Sequence, residues 1–135
     1  LPGADAKPNQ RRATTLLLYA LVHELVALTD FGRLPLSAWL VTRRAAVVDV
    51  LLDAVNWASA QNNRDLVAEL VVTLYLLGEP LHKRLQTALD DLVRQQKPDG
   101  SWGPSGVTMR PDKVRHSVLT GSAAMLVYPD WRQKR

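Results

Sequence analysis

The chain contains no cysteine among its 135 residues. This absence excludes a disulfide framework, a thiolate metal site and a thiol nucleophile. It also fits a reducing compartment, so we expect a cytoplasmic protein. Long apolar runs are scarce as well, because the longest, LLLYALV, is followed at once by His23 and Glu24. A membrane-spanning helix needs about 20 apolar residues, so the sequence predicts no transmembrane segment.

The alternation of apolar and polar residues that marks a half-buried strand is missing too. Valines and leucines recur instead at helical spacing. Asn63 lies in a pause that offers an N-cap, and Gly78 followed by Pro80 is a typical helix end. We therefore predict an all-α protein with five main helices. They cover about residues 11–29, 35–61, 64–77, 81–96 and 111–127.

The first predicted helix is apolar on most sides, which is typical of a helix that is buried all round. The residues before it are rich in proline, glycine and polar side chains. We expect a flexible N-terminal segment at residues 1–10, a single helical domain at 11–131 and a basic tail at 132–135.

The net charge is +4 and the isoelectric point is near 9.8, which is compatible with nucleic-acid binding. The basic residues, however, concentrate at the two ends of the chain. The middle is nearly balanced and has no basic face interleaved with aromatic residues. Nucleic acid is therefore not the expected partner, although a basic nucleic-acid-binding protein remains an alternative.

A loop after the fourth predicted helix reads QQKPDGSWG. It resembles the QW signature of the squalene-cyclase and terpene-cyclase superfamily, whose fold is an α/α toroid. That resemblance implies that a glutamine side chain caps backbone groups at a helix end while the tryptophan stacks over it. The residues that match this structural motif are Gln95, Gln96, Asp99, Gly100 and Trp102.

The resemblance extends over roughly residues 65–128 and implies antiparallel helix hairpins arranged in a partial toroid. A single motif is present, whereas complete cyclases carry several. The Asp-x-Asp-Asp acid motif is missing, because Ala88 stands where its first aspartate would be. We expect a partial toroid that a second copy or a partner protein could complete.

His116 and Glu69 are the candidate catalytic residues. The resemblance implies that the helix opened by His116 lines the central cavity, where an imidazole could act as a general base; alternatively it caps a helix or packs on Trp102. Glu69 lies among leucines and valines. Burial there would favour the protonated carboxyl and general-acid chemistry; the alternative is a salt bridge or an exposed edge. Asp65 precedes Glu69 by four residues, in a first turn where the helix dipole favours a carboxylate.

Tyr19, His23 and Glu24 interrupt the apolar first helix within little more than one turn. Together they could form one polar site in the core, although a hydrogen-bonded core histidine is the commoner arrangement. We expect Tyr19 and His23, with Trp57 and Thr120, to contact a ligand. The alternative for the tryptophan is a simple core anchor.

No cofactor or metal is expected. His23, His82 and His116 are too scattered for a metal site, and no phosphate-binding glycine loop or nucleophile elbow occurs.

The sequence thus predicts a small bacterial terpene-cyclase-like toroid protein that binds an apolar or peptide-like small molecule. Its expected role is that of a tailoring cyclase or an accessory protein of secondary metabolism. Any catalysis would be metal-independent acid/base or cyclisation chemistry. The alternative is a non-catalytic helical interaction or dimerisation module.

Overall fold

A computed structural model of the chain describes residues 1–3, 5–30, 33–79, 83–96 and 98. All regular secondary structure in these residues is α-helical, which confirms the predicted all-α class. The fifth predicted helix, over residues 111–127, lies outside the described residues. The helices are α1 (Pro8–Leu28), α2 (Ala38–Ala60), α3 (Arg64–Leu76) and α4 (Lys83–Arg94).

Polar side chains determine where α2 and α3 begin. Oγ of Ser37 accepts a hydrogen bond from the Leu40 N–H at 3.3 Å. Oδ1 of Asn63 accepts one from the Leu66 N–H at 3.2 Å, as the sequence predicted for this pause. Each cap satisfies a backbone donor that has no partner within the helix. Because Ser37 is the cap, α2 begins after it and not at the predicted Pro35.

The chain before α1 contacts the rest of the domain through Trp57. Its indole Nε1 donates a hydrogen bond to the Pro2 carbonyl at 3.1 Å. α1 then begins at Pro8, earlier than the predicted start at Arg11. Proline suits a first helical turn because its missing N–H would have no intrahelical partner there.

Gly78 ends α3 in a left-handed conformation, with φ +72°. Its N–H donates to the Tyr75 carbonyl at 2.8 Å, and the Glu79 N–H donates to the Leu74 carbonyl at 3.0 Å. This is a Schellman motif, which satisfies the last carbonyls of the helix. The predicted helix end at glycine is therefore confirmed.

α1 and α3 are parallel neighbours. The Tyr19 hydroxyl lies 2.8 Å from Oδ2 of Asp65, and His23 Nε2 lies 3.2 Å from Oε2 of Glu69. The second contact lies four residues further along α1 and four residues further along α3 than the first, so the two helices run in the same direction.

α2 is antiparallel to α3 and parallel to α4. Nε of Arg44, early in α2, donates to the carbonyl of Leu77, just after α3. The second half of α4 lies beside the end of α2 and the start of α3, around a small cavity of about 40 Å³. α1 thus packs on α3, while α2, α3 and α4 all contact one another. The lining residues of the cavity are Ser59, Asn62, Asn63, Arg64, Val67, Ala88, Asp91, Leu92 and Gln95.

The core is centred on α3, which contacts each of the other three described helices. Seven of its thirteen residues are buried. Burial of such side chains is the main favourable contribution to folding. The largest fully buried aliphatic side chains are Leu40, Leu51, Leu66, Leu70, Leu74, Leu85, Val22, Val55 and Val71.

The prediction that the first helix is buried all round is wrong. Leu16 and Leu17 are 61% and 70% exposed, and Leu28 is 51% exposed. The buried residues of α1 are Leu18, Val22 and Leu25. The reason is that only one side of α1 packs against α3, whereas the leucines of α1 are distributed around the whole helix.

Candidate functional site

Four polar side chains meet between α1 and α3, and we call them the polar row: Tyr19, His23, Asp65 and Glu69. Within each helix the two residues are four apart, so they lie on one face, one turn above each other. Because the helices are parallel, Tyr19 meets Asp65 and His23 meets Glu69. The rings of Tyr19 and His23 are 6.1 Å apart between centroids and tilted by 42°. The row is therefore one continuous cluster.

Tyr19 forms the more buried half of the row. Its hydroxyl donates to Oδ2 of Asp65 at 2.8 Å and lies 3.4 Å from Oδ1 of Asn63. Burial raises the pKa of Tyr19, and the hydrogen bond to Asp65 and the negative charges of Asp65 and Glu69 raise it further. The phenol thus stays protonated at neutral pH and is a hydrogen-bond donor, not a base.

His23 and Glu69 form the more accessible half. Nε2 of His23 lies 3.2 Å from Oε2 of Glu69. The histidine side chain is 64% exposed, whereas the glutamate side chain is 11% exposed. The two groups form an ion pair when the imidazole is protonated. The pair therefore presents an accessible imidazole with a nearly buried carboxylate close behind it.

The interpretation of His23 as a core histidine is thus wrong. It lies at the border between the side of α1 that contacts α3 and its exposed side, two turns after the exposed Leu16. Glu69 is nearly buried and lies within ion-pair distance of His23, so its surroundings are compatible with the salt-bridge alternative.

Trp57 is buried in α2 at 8% exposure and bonds to Pro2, which is the arrangement of a core anchor. Gln95 follows α4 and lines the small cavity beside Asn62 and Asn63. Gln96 is half-buried. The other predicted site residues lie outside the described part of the chain and remain predictions. They are His116, Thr120, Asp99, Gly100 and Trp102.

Sequence reasoning missed that Asp65 and Asn63 belong to the site. The sequence of each helix shows a pair of polar residues four apart, Tyr19 and His23 in α1 and Asp65 and Glu69 in α3. The missing information was that α1 and α3 are parallel neighbours, which alone brings the two pairs together.

Within the described ranges, no three His, Cys, Asp or Glu side chains are placed to hold a metal ion. None of the described helices combines the length and apolarity needed to cross a bilayer.

A protein-family comparison matches residues 5–120, the greater part of the chain, to the family described as "Domain of unknown function (DUF6895)". The chain belongs to the DUF6895 family. No curated protein and no solved structure matches the chain. The DUF6895 match contains all four described helices and the whole polar row, and it extends over Trp102 and His116.

Proposed function

We propose that this protein is part of an α/α toroid and binds an apolar or peptide-like small molecule on the layer formed by α1 and α3. The observation that carries the proposal is the His23–Glu69 pair, an exposed imidazole backed by a nearly buried carboxylate. Small-molecule sites combine apolar surface with a small number of polar groups that fix the orientation of the ligand.

The surroundings of the polar row support an apolar ligand. Leu16, on the same exposed side of α1 as His23, is 61% exposed. On α3, Val72 and Leu76 follow Glu69 at spacings of three and seven and are half-buried. The row therefore supplies directional contacts at the border of an apolar surface.

The helix order supports the toroid part of the proposal. In α/α toroids, alternate helices of the chain are parallel neighbours, and α1 with α3 and α2 with α4 are parallel and in contact here. The position of Gln95 beside the junction of α2 and α3 also fits a glutamine that ties a helix end to its neighbour. The resemblance of QQKPDGSWG to a QW motif adds to this support.

The proposed biological role is that of a tailoring cyclase or an accessory protein of bacterial secondary metabolism. If the protein is an enzyme, we propose that Glu69 acts on the ligand through His23 and that His116 supplies a second acid or base. Tyr19, whose single O–H is donated to Asp65, contacts the ligand through its ring.

The test combines native mass spectrometry for a co-purified small molecule with fluorescence titration of an apolar probe, 1-anilinonaphthalene-8-sulfonate. We expect His23→Ala and Glu69→Gln to weaken probe or ligand binding by roughly tenfold, as loss of one directional contact does. Asp49→Asn, the same change of charge on the exposed side of α2, serves as the matched control. Equal binding by all variants, or no bound molecule in any of them, contradicts the proposal.

A further inference from the structure

The segment that leads into α2 projects past the end of α3, and we call residues 33–43 the α2 entry. Nε of Arg44, the next residue, donates to the carbonyl of Leu77, directly after the last residue of α3. Because α2 is antiparallel to α3, the first turn and a half of α2 extends beyond α3. Leu36 and Leu40 anchor the α2 entry, since both pack into the core.

The outer side chains of the α2 entry combine apolar surface with positive charge. Leu34, Trp39 and Val41 are each more than half exposed. The guanidinium of Arg43 lies over the Trp39 ring, 4.9 Å from its centroid. The α2 entry begins and ends with an arginine and contains no acidic residue. It is therefore an exposed apolar surface with cations at its border.

Positive charge continues beside the α2 entry. α4 is parallel to α2 and begins at this end of the domain with Lys83 and Arg84. The acidic residues in the described loops and outermost helical turns here are Asp30 and Glu79, and each lies within ion-pair distance of an arginine. Two acidic residues thus face five basic ones, which leaves this end positively charged. The basic residues are Arg33, Arg43, Arg44, Lys83 and Arg84.

The middle of α2 exposes apolar surface in a different electrostatic setting. Val50 is exposed there, but Asp49 and Asp53, its neighbours at spacings of one and three, are exposed as well. An anionic partner is repelled by these carboxylates and attracted by the α2 entry. Charge therefore distinguishes two exposed parts of the same helix.

We infer that the α2 entry docks on an anionic lipid surface. Tryptophan side chains favour the interface between a bilayer and water, where Trp39 would lie. Basic residues close to anionic headgroups add electrostatic attraction. Arginine can place its aliphatic stem along apolar surface while its guanidinium stays among the headgroups, which suits Arg43. A polyanion such as nucleic acid would attract the same cations but would leave Leu34 and Val41 in water.

The expected binding is reversible and depends on salt, because few apolar side chains take part and the attraction of the basic residues is screened. This inference does not depend on the small-molecule proposal, since the α2 entry contains no residue of the polar row.

Co-sedimentation of the full chain with vesicles tests the docking. One set consists of phosphatidylcholine, and the other contains equal parts of phosphatidylcholine and phosphatidylglycerol. We expect binding to the anionic vesicles, weakened by added salt, and little binding to the neutral ones. Absence of binding to anionic vesicles overturns the inference, and so does equal binding to both sets.

Matched substitutions assign the contact to the α2 entry. We expect Trp39→Ala to weaken vesicle binding roughly tenfold and Arg43→Gln roughly fivefold. Leu34→Ala weakens it in the same direction. The controls are Leu17→Ala and Arg12→Gln, the same changes at exposed positions of α1, and they leave binding unchanged. If Arg12→Gln weakens binding as much as Arg43→Gln does, net charge alone explains the adsorption and the inference is overturned.

A fluorescent label shows which part of the protein enters the interface, and the absence of native cysteine makes the labelling specific. Val41 and Val50 are 57% and 48% exposed and lie about 14 Å apart along α2. With a nitrobenzoxadiazole label on the introduced thiol, we expect anionic vesicles to shift the emission of Val41→Cys to the blue and to leave Val50→Cys unchanged. Equal shifts at both positions, or none at either, overturn the inference.

Two other occupants of the α2 entry give different results. If another segment of the same chain covers it, vesicles are not bound and Trp39→Ala lowers the melting temperature, while Leu17→Ala does not. If nucleic acid is the partner, the protein is retained on DNA with a steep dependence on salt and does not bind vesicles. Either result overturns the inference.

Discussion

Nε2 of His23 lies 3.2 Å from Oε2 of Glu69, and the two residues belong to parallel helices that are not consecutive in the chain. The contact joins an exposed side chain to a nearly buried one. Its contribution to stability is small, because the exposed partner is screened by solvent. The imidazole is the accessible member of the pair and is the group that a bound molecule would meet first.

The first prediction concerns the strength of this contact. A double-mutant cycle with His23→Ala and Glu69→Gln is expected to give a coupling free energy of about 0.5 kcal/mol in urea unfolding. Added salt should reduce the coupling, because the pair is open to solvent. A coupling that exceeds about 2 kcal/mol and is insensitive to salt would show that the pair is sequestered from solvent, contrary to the observed exposure.

The second prediction concerns Tyr19 and pH. Burial, followed by the hydrogen bond and charge of Asp65 and by the charge of Glu69, raises the pKa of Tyr19 above its ordinary value near 10. The folded protein therefore holds the phenolic proton more tightly than the unfolded chain does. The stability that this provides is complete below about pH 10 and is lost as the pH rises from there towards the folded-state pKa.

Tyr19→Phe removes this titration. At neutral pH the substitution is expected to lower the free energy of unfolding by about 1–2 kcal/mol, because Asp65 loses its donor. The gap between wild type and variant should narrow as the pH is raised from about 8 to about 11. Denaturant unfolding across that range is the measurement, and a gap that stays constant or widens contradicts the assigned environment.

The third prediction concerns the end of α3. Gly78→Ala is expected to cost about 1 kcal/mol, since alanine is strained at φ +72°. The space itself is open, because an added Cβ would be 3.9 Å from Nη2 of Arg44. Gly78→Asn should cost less, as asparagine tolerates the left-handed region. Equal losses of melting temperature for the two variants would point to crowding and away from backbone strain.

The fourth prediction compares a buried leucine with an exposed one. Leu70 in α3 is 0% exposed, whereas Leu34 is 55% exposed. Leu70→Ala is expected to reduce the free energy of unfolding by about 3–5 kcal/mol through lost burial and a cavity. Leu34→Ala should change it by less than about 0.5 kcal/mol. Similar effects at both positions would mean that the core is not centred on α3.

The features that sequence reasoning predicted correctly are local ones. The cap at Asn63 and the helix end at Gly78 depend on a few adjacent residues, so their signals are complete in the sequence. The surroundings of Leu17 are different, because an apolar residue on a helix looks the same whether it faces the core or an edge. Tyr19 and Asp65 are 46 residues apart, and no pattern in the intervening sequence indicates that their helices are parallel neighbours. The toroid arrangement and the roles of Trp102 and His116 stay predictions.

The central place of α3 has a consequence for how the protein opens. α3 touches α1, α2 and α4, whereas α1 exposes a whole side. Local opening is cheapest where few packed neighbours are lost. In amide hydrogen exchange, α1 should therefore exchange through fraying motions, while the amides of α3 should exchange only when the whole domain unfolds. The polar row would then connect the described helix whose amides exchange fastest, α1, to the one whose amides exchange slowest, α3. A molecule that binds to both helices at the polar row would therefore slow the exchange of α1 in particular.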